Sequence, residues 1–267
     1  MDRYRVTRPR SFRLASIDPG EDRLFRGNRG DALAVVDQLG DRLDALQERL
    51  YAEGRQRLLI VLQAMDTGGK DGTIKRVFDS VDPLGVRVAS FKAPNQLELT
   101  HDYLWRVHAA CPAEGEIVIF NRSHYEDVLV VRVNNLVPAA QWKRRYAQIR
   151  DFERMLGEEG TTIVKFYLHI SKQEQKERLQ ARLDDPTKHW KFNPGDLAVR
   201  AQWNRYMAAY QEAIRETSTP SAPWYVVPAN KKWYRDYVVA SVLVQTLERM
   251  NPKFPKPTFD PKRIRVR

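Results

Sequence analysis

The stretch "RLLIVLQAMDTGGKDGT", residues 57–73, decides the fold. Residues 57–64 form a continuous, largely apolar run of strand length, as expected of a strand buried on both faces of a parallel sheet. The run feeds a glycine cluster and then a helix, expected over about Thr73 to Val81. Strand, glycine loop and helix in that order make a phosphate-binding loop. Its usual spelling is Gly, four residues, then Gly-Lys-Ser or Gly-Lys-Thr, with the last hydroxyl on magnesium. Here Ala64 stands at the first glycine, Asp71 at the hydroxyl position, and a further acid, Asp66, inside the loop.

Gly68, Gly69 and Gly72 allow backbone N–H groups to approach phosphate oxygens closely, with Thr67 and Thr73 beside them as further phosphate contacts. Lys70 would place a point charge on the transferred phosphate. The alternative is a glycine turn with a solvated lysine; the position directly after a buried strand favours phosphate. Carboxylates repel phosphates unless a cation lies between them, and Mg2+ takes one or two carboxylates plus phosphate oxygens. Asp66 is therefore read as a direct or water-mediated magnesium ligand, against the alternative of a solvent-facing acid. Asp71 is read as a cap of the following helix before it is read as a metal ligand.

Outward from the loop, strands and helices alternate. Strands are expected over 57–64, 86–91, 116–120, 161–170 and 224–229, and helices over 31–52, 97–110, 139–159, 171–183, 196–216 and 231–249. Val36, Leu39, Leu43, Leu46 and Leu50 form one apolar stripe on the first helix, and Ser171 is a plausible N-cap. Such alternation predicts one α/β domain with a five-stranded parallel sheet covered on both faces. The domain is expected over 31–250, between a basic extension, 1–30, and a Pro-rich basic tail, 251–267.

The third strand runs into "NRSHYED", 121–127. Many phosphate-loop enzymes end this strand in an aspartate that helps hold Mg2+. Asn121 is neutral, so the carboxylate has moved onward to Glu126 or Asp127. Arg122 should enter the crevice at the carboxyl edge of the sheet, with a surface ion pair as the alternative. His124 reads as a packing residue rather than a general base. Further on, Arg178 and Arg182 share one helical face, and Lys188 and Lys191 follow around a proline turn. Basic segments of this kind act as lids over phosphate crevices, here about 178–196; a solvated charged loop is the alternative. The "KRR" at 143–145 reads as a solvated helix face.

Charge and composition limit the remaining readings. Of the net charge of +11, residues 1–30 carry +4 (eight Arg, four acids) and residues 251–267 carry +5 (six Lys/Arg, one acid). That leaves +2 for the domain, so the global charge says little about the crevice. No apolar run approaches the roughly 18 residues of a membrane span. The N-terminus has no apolar signal segment, and Cys111, the only cysteine, excludes an internal disulfide, which suits a cytoplasmic protein.

Five segments together, "AMDTGGKDGT", "FNRSHYEDVLVVRV", "LHISKQEQKERL", "DDPTKHWKF" and "PWYVVPANKKW", resemble the polyphosphate kinase 2 family in order and spacing, over roughly residues 31–250. The resemblance implies a P-loop kinase fold like that of thymidylate kinase, with a helical lid. It implies phosphate transfer between inorganic polyphosphate and AMP or ADP, with ATP as product, Mg2+ as cofactor, guanine nucleotides as further acceptors and a homo-oligomeric assembly. It carries phosphate-binding roles onto Gly69, Lys70, Arg122 and Arg182, a magnesium role onto Asp66, and nucleotide contacts onto Asn121 and Arg178. Other members have an aspartate at Asn121 and an asparagine at Glu126; this departure makes Glu126 or Asp127 the replacement metal ligand. The spelling with Glu126 is similar to the subgroup that accepts both AMP and ADP. An ATP-dependent nucleoside or nucleotide kinase of the same fold is the competing enzyme, and a polyanion or nucleic-acid binder using the basic termini is the non-enzymatic alternative.

Overall fold

In the computed structural model, which describes residues 1–266, five parallel strands form one sheet in the order β2-β3-β1-β4-β5. In chain order the elements are α1 (Arg29–Glu53), β1 (Arg57–Ala64), α2 (Lys70–Val77), β2 (Val86–Ser90), two short turns of helix α3 (Gln96–Leu99) and α4 (Trp105–His108), and β3 (Ile117–Asn121). A 3-10 turn (His124–Val128) leads to α5 (Val130–Val133), α6 (Ala139–Glu158), β4 (Thr161–His169) and α7 (Lys172–Leu183). After a 3-10 turn over Pro186–Lys191 come α8 (Gly195–Ala201), α9 (Trp203–Thr217), β5 (Trp224–Pro228) and α10 (Lys232–Met250). Among the described residues, no helix is long and apolar enough to cross a membrane.

β1 is the central strand because its side chains are apolar on both faces; Leu58 through Leu62 are all buried. It pairs in register with β3 (Leu58↔Ile117 to Leu62↔Asn121) and with β4 (Arg57↔Thr161 to Ala64↔Leu168). Strands added next lie on one side of β1 and the last two on the other, so the chain reverses its direction of growth at the carboxyl end of β1. Open α/β sheets bind ligands at such a reversal, and the glycine loop stands there.

Helix ends follow local chemistry. Asn28 accepts from Gly30 and Asp31 N–H while Asp31 caps back, and Gly54 closes α1 in the left-handed conformation at φ 61°. Ser171 caps α7 by accepting from Glu174 N–H. Two long helices expected from periodicity are interrupted. Residues 97–110 break where Asp102 accepts from Leu104 N–H, and 196–216 break at Gln202 into α8 and α9. The helix after the glycine loop starts at Lys70, three residues earlier than expected, with Gly69 at its N-cap. Asp71 thus lies inside the first turn and is not the cap.

Residues 1–30, basic by composition, do not stand apart from the sheet. Val6 N–H donates to Trp224 O at 2.9 Å and Arg5 pairs with Tyr225 in an antiparallel bridge, so this segment covers the β5 edge. Tyr4, Val6, Leu14 and Ile17 are buried, and Tyr4 Oη lies 2.5 Å from Tyr234 Oη. Four apolar anchors, joined by Arg3 bonded to the buried Glu21, decide where the segment lies despite its basic composition. Within the tail, residues 251–266 have little regular structure beyond Pro261–Arg263, and Arg267 lies outside the described residues. Tyr4→Ala is expected to lower stability by about 3–5 kcal/mol, the cost of emptying a buried aromatic site. Urea unfolding measures this directly, and a loss below about 1 kcal/mol would detach the segment from the folding unit.

Candidate active site

Three carbonyls of the glycine loop are held from behind. Tyr210 Oη donates to Ala64 O at 3.0 Å, Gln175 Nε2 to Asp66 O at 3.1 Å, and Arg178 Nη1 to Thr67 O at 3.0 Å. Two loop glycines are constrained, Gly68 by close contacts and Gly69 above all by its left-handed backbone. A Cβ on Gly68 would lie 2.4 Å from Ala64 Cβ, so the methyl group at the position usually held by glycine makes its neighbour a glycine. A Cβ on Gly69 would lie 2.0 Å from Arg235 Nη1, and Gly69 has φ 103°. Thr67 and Arg122 are both left-handed at φ 62°, an uncommon conformation for such residues and one that recurs at functional sites.

Two cavities meet at this loop. The first, about 330 Å³, is lined by Lys70, Arg178, Arg182, Lys188, Lys191, Lys232 and Arg235, with Asp71 as its only acid. Gly68, Gly69, Gly72 and Thr67 form its floor. The second, about 460 Å³, mixes charges: Asp66, Asp71 and Asp196 face Lys70, Lys92, Arg122, Arg182 and Lys191, beside Phe91, Trp190 and Asn121. Thr67, Lys70, Asp71, Arg182 and Lys191 border both. A third hollow of about 270 Å³ joins Asp66, Arg122, Glu126 and Asp196 beneath Tyr206 and Tyr210.

The charges within this region are coupled. Arg122 Nη2 donates to Asp66 Oδ1 at 2.8 Å. Burial lowers the Lys70 pKa, Arg122 adds to that, and Asp66, Glu126 and Asp71 offset only part of it. Burial raises Glu126, against the pull of Arg122 and Lys70, and raises Asp196, with Asp66 adding to it. Each of these carboxylates would be relieved by a cation. The Thr67 hydroxyl oxygen is buried without a hydrogen-bond partner, an unmet acceptor and donor within the loop.

Not every expected residue comes to the crevice. Asp127 turns away from Glu126: it accepts from Arg145 Nη1 at 3.0 Å and lines a separate cavity of about 420 Å³ with Tyr103 and Arg106. Burial there raises Asp127 to about 6, and of the two neighbouring acids only Glu126 lines the hollow with Asp66. Arg145 is buried, so the "KRR" segment is not a wholly solvated face. Thr73 lines neither loop cavity; its hydroxyl donates to Gly69 O at 3.1 Å within the helix. Arg178, expected beside the nucleotide, spends its guanidinium on Glu174, Thr67 O, Ala229 O and Asn230 O, bracing the loop. Asn121 Nδ2 donates to Asp71 Oδ1 at 2.8 Å, tying the third strand to the loop. His124 is buried against Tyr125 and Phe152, 3.4 Å from Glu153, and burial lowers its pKa against the pull of that carboxylate.

The sequence reading missed Lys232, Arg235, Lys92, Trp190 and Asp196. Lys232 and Arg235 lie at the N-terminal turn of α10, more than 160 residues after the loop by sequence number, in a helix whose pattern announces only a core. Their spacing of three on one helical face was the available signal.

A model of the polyphosphate kinase 2 family matches residues 28–255. The AMP/ADP-polyphosphate phosphotransferase of Meiothermus ruber is 60% identical over 257 residues, covering 96% of this chain and 96% of its own. The ADP-polyphosphate phosphotransferase of Rhodopseudomonas palustris is 44% identical over 230 residues, covering 82% of this chain and 80% of its own. The crystal structure of polyphosphate kinase 2 from Arthrobacter aurescens TC1 superposes with a TM-score of 0.94 at 49% identity, covering 97% of this chain and 92% of that one. With a parallel sheet, a glycine loop at its reversal point and a basic segment above it, this chain belongs to the polyphosphate kinase 2 family.

Proposed function

We propose that this protein transfers the terminal phosphoryl group of inorganic polyphosphate to AMP and ADP, producing ADP and ATP. The observation that carries the reading is the pair of unlike cavities meeting at Lys70. A cavity with seven cations and one acid suits a polyanion with no base to recognise. The mixed cavity, with aromatic side chains and three acids, suits a nucleotide whose phosphate arrives with a divalent cation. An oxygen of the acceptor phosphate attacks the terminal phosphorus, and the bridging P–O bond breaks. Its electron pair stays on the polyphosphate, now one unit shorter. The acceptor oxygen is already ionised, so no general base is required, and Lys70, Arg122 and Arg182 stabilise charge on the transferred group.

Mg2+ is the cofactor in this reading. Asp66, Glu126 and Asp196 are hard oxygen donors sharing one hollow, and the burial that raises Glu126 and Asp196 would be offset by a cation. Mg2+ takes one or two carboxylates and completes its shell with phosphate oxygens and water. When bound, it would neutralise phosphate charge. Asp66 and Glu126 would hold it, with Asp66 kept in place by Arg122.

AMP is shorter than ADP and reaches the same in-line position with fewer anchoring oxygens. A carboxylate beside the loop compensates through its cation, and the position of Glu126 in the hollow of Asp66 and Arg122 supports it in that role. The name of the Meiothermus ruber relative supports acceptance of both nucleotides. The reading extends to guanine nucleotides as acceptors, to the cytoplasm and to a homo-oligomer. The lone, partly buried Cys111 and the exposed Leu97, Leu99 and Trp105 support the last two.

Chromatography of a reaction holding only AMP, long-chain polyphosphate and Mg2+ should show ADP first and ATP later. A protein that ignores polyphosphate and requires ATP as donor would instead be the competing nucleotide kinase. Lys70→Ala should lower turnover by about 10²–10³-fold or more with the fold intact. Glu126→Asn should impair the AMP step more than the ADP step; equal losses would restrict Glu126 to general metal binding or folding.

A further inference from the structure

Beneath the turn that carries Arg122 and Glu126 lies a buried charged cluster for which the transfer reaction has no use. Lys165, on β4, is 0% exposed. Its ammonium group donates to Glu153 Oε2 at 2.5 Å, to Thr217 O at 2.8 Å and to Tyr125 Oη at 2.9 Å, using all three hydrogens. Tyr125 Oη in turn donates to the other Glu153 oxygen at 2.7 Å. One residue before Tyr125 in the turn is His124, and before it Ser123, whose Oγ accepts from Gln63 Nε2 and from Tyr125 N–H, each at 3.2 Å. The turn is thus pinned from β1, β4 and α6 together.

Stability alone does not account for such a cluster. A buried ion pair regains little more than its desolvation cost, and apolar residues of similar size often stabilise as well or better. What an apolar substitute lacks is direction. The turn His124–Val128 is a 3-10 helix, in which successive side chains point about 120° apart. With Tyr125 bonded inward, Glu126 faces the hollow of Asp66 and Arg122, and Asp127 faces Arg145 on the other side. A rotation of the turn by one residue would bring Asp127 to the hollow and remove Glu126. Arg122, left-handed at φ 62°, leads into this turn, and Ser123 caps it.

We propose that Lys165, Glu153 and Tyr125 are positioning residues for the AMP step, fixing the rotation of the turn so that Glu126 faces the phosphate loop. This rests on the role given above to Glu126. The cluster selects the acceptor without touching it.

Tyr125→Phe removes the phenolic bonds with little change in volume. The paired replacement Lys165→Met with Glu153→Leu removes both charges together. Thermal unfolding should stay within a few degrees of the parent for Tyr125→Phe, while turnover with AMP falls about tenfold and turnover with ADP falls about threefold or less. In the Glu126→Asn background Tyr125→Phe should bring no further loss with AMP, because both changes remove the same carboxylate from the same place. The paired replacement, if it folds, should repeat the shift in the AMP-to-ADP ratio. AMP and ADP turnover falling together, or independent multiplication of the Tyr125 and Glu126 effects, would overturn the proposal. If Glu126→Asn shifts the ratio and Tyr125→Phe does not, only the cluster's role fails. If Glu126→Asn leaves the ratio unchanged, the role of Glu126 fails first and the cluster's role with it.

Discussion

The three bonds from Tyr210, Gln175 and Arg178 to the carbonyls of Ala64, Asp66 and Thr67 are the constraint on which the rest of the site depends. A glycine loop with its carbonyls free would present a mixed surface to an anion. With those carbonyls held by side chains of α7 and α9, Gly69 and the start of α2 are left lining the cationic cavity, where a helix N-terminus favours an anion. Each bracing bond is a modest contribution, on the order of 1 kcal/mol. Together they turn a flexible segment into a preorganised one, which costs no rearrangement when substrate arrives.

The acids in the loop become intelligible from this frame. Asp71 cannot ligate through a hydroxyl, but it accepts from Asn121 and so ties the loop to the end of β3. Asp66 is paired with Arg122, which crosses from the other strand. Asp66 lies toward the mixed cavity, whereas Arg178, Lys188, Lys232 and Arg235 line only the cationic one, with Lys70 and Asp71 between the two. In the proposed reaction that asymmetry gives the crevice a direction, favouring a polyanion on one side and a metal-bearing nucleotide on the other.

Much of this was legible in the sequence, and the misses have physical causes. The run Arg57–Ala64 matched its strand to the residue, because a strand buried on both faces leaves an unbroken apolar signal. Ser171 and Gly69 were legible because caps and left-handed positions admit few residue types. The approach of Arg235 to Gly69 was not, since it depends on how α10 packs beside α2. Nor was the opposite facing of Glu126 and Asp127, because neighbouring acids are equivalent in a sequence until the turn's rotation is known. Charge counting also hid the packing of residues 1–30, where four buried side chains matter more than the eight arginines.

The central claim is that donor and acceptor enter from opposite sides of Lys70. Lys232 tests it most directly, because it lines the cationic cavity alone. Titration calorimetry of Lys232→Ala should show weaker binding of polyphosphate, by about three- to tenfold and less so at high salt, with the affinity for ADP unchanged. Equal weakening of both ligands, or a loss confined to ADP, would contradict the two-sided arrangement.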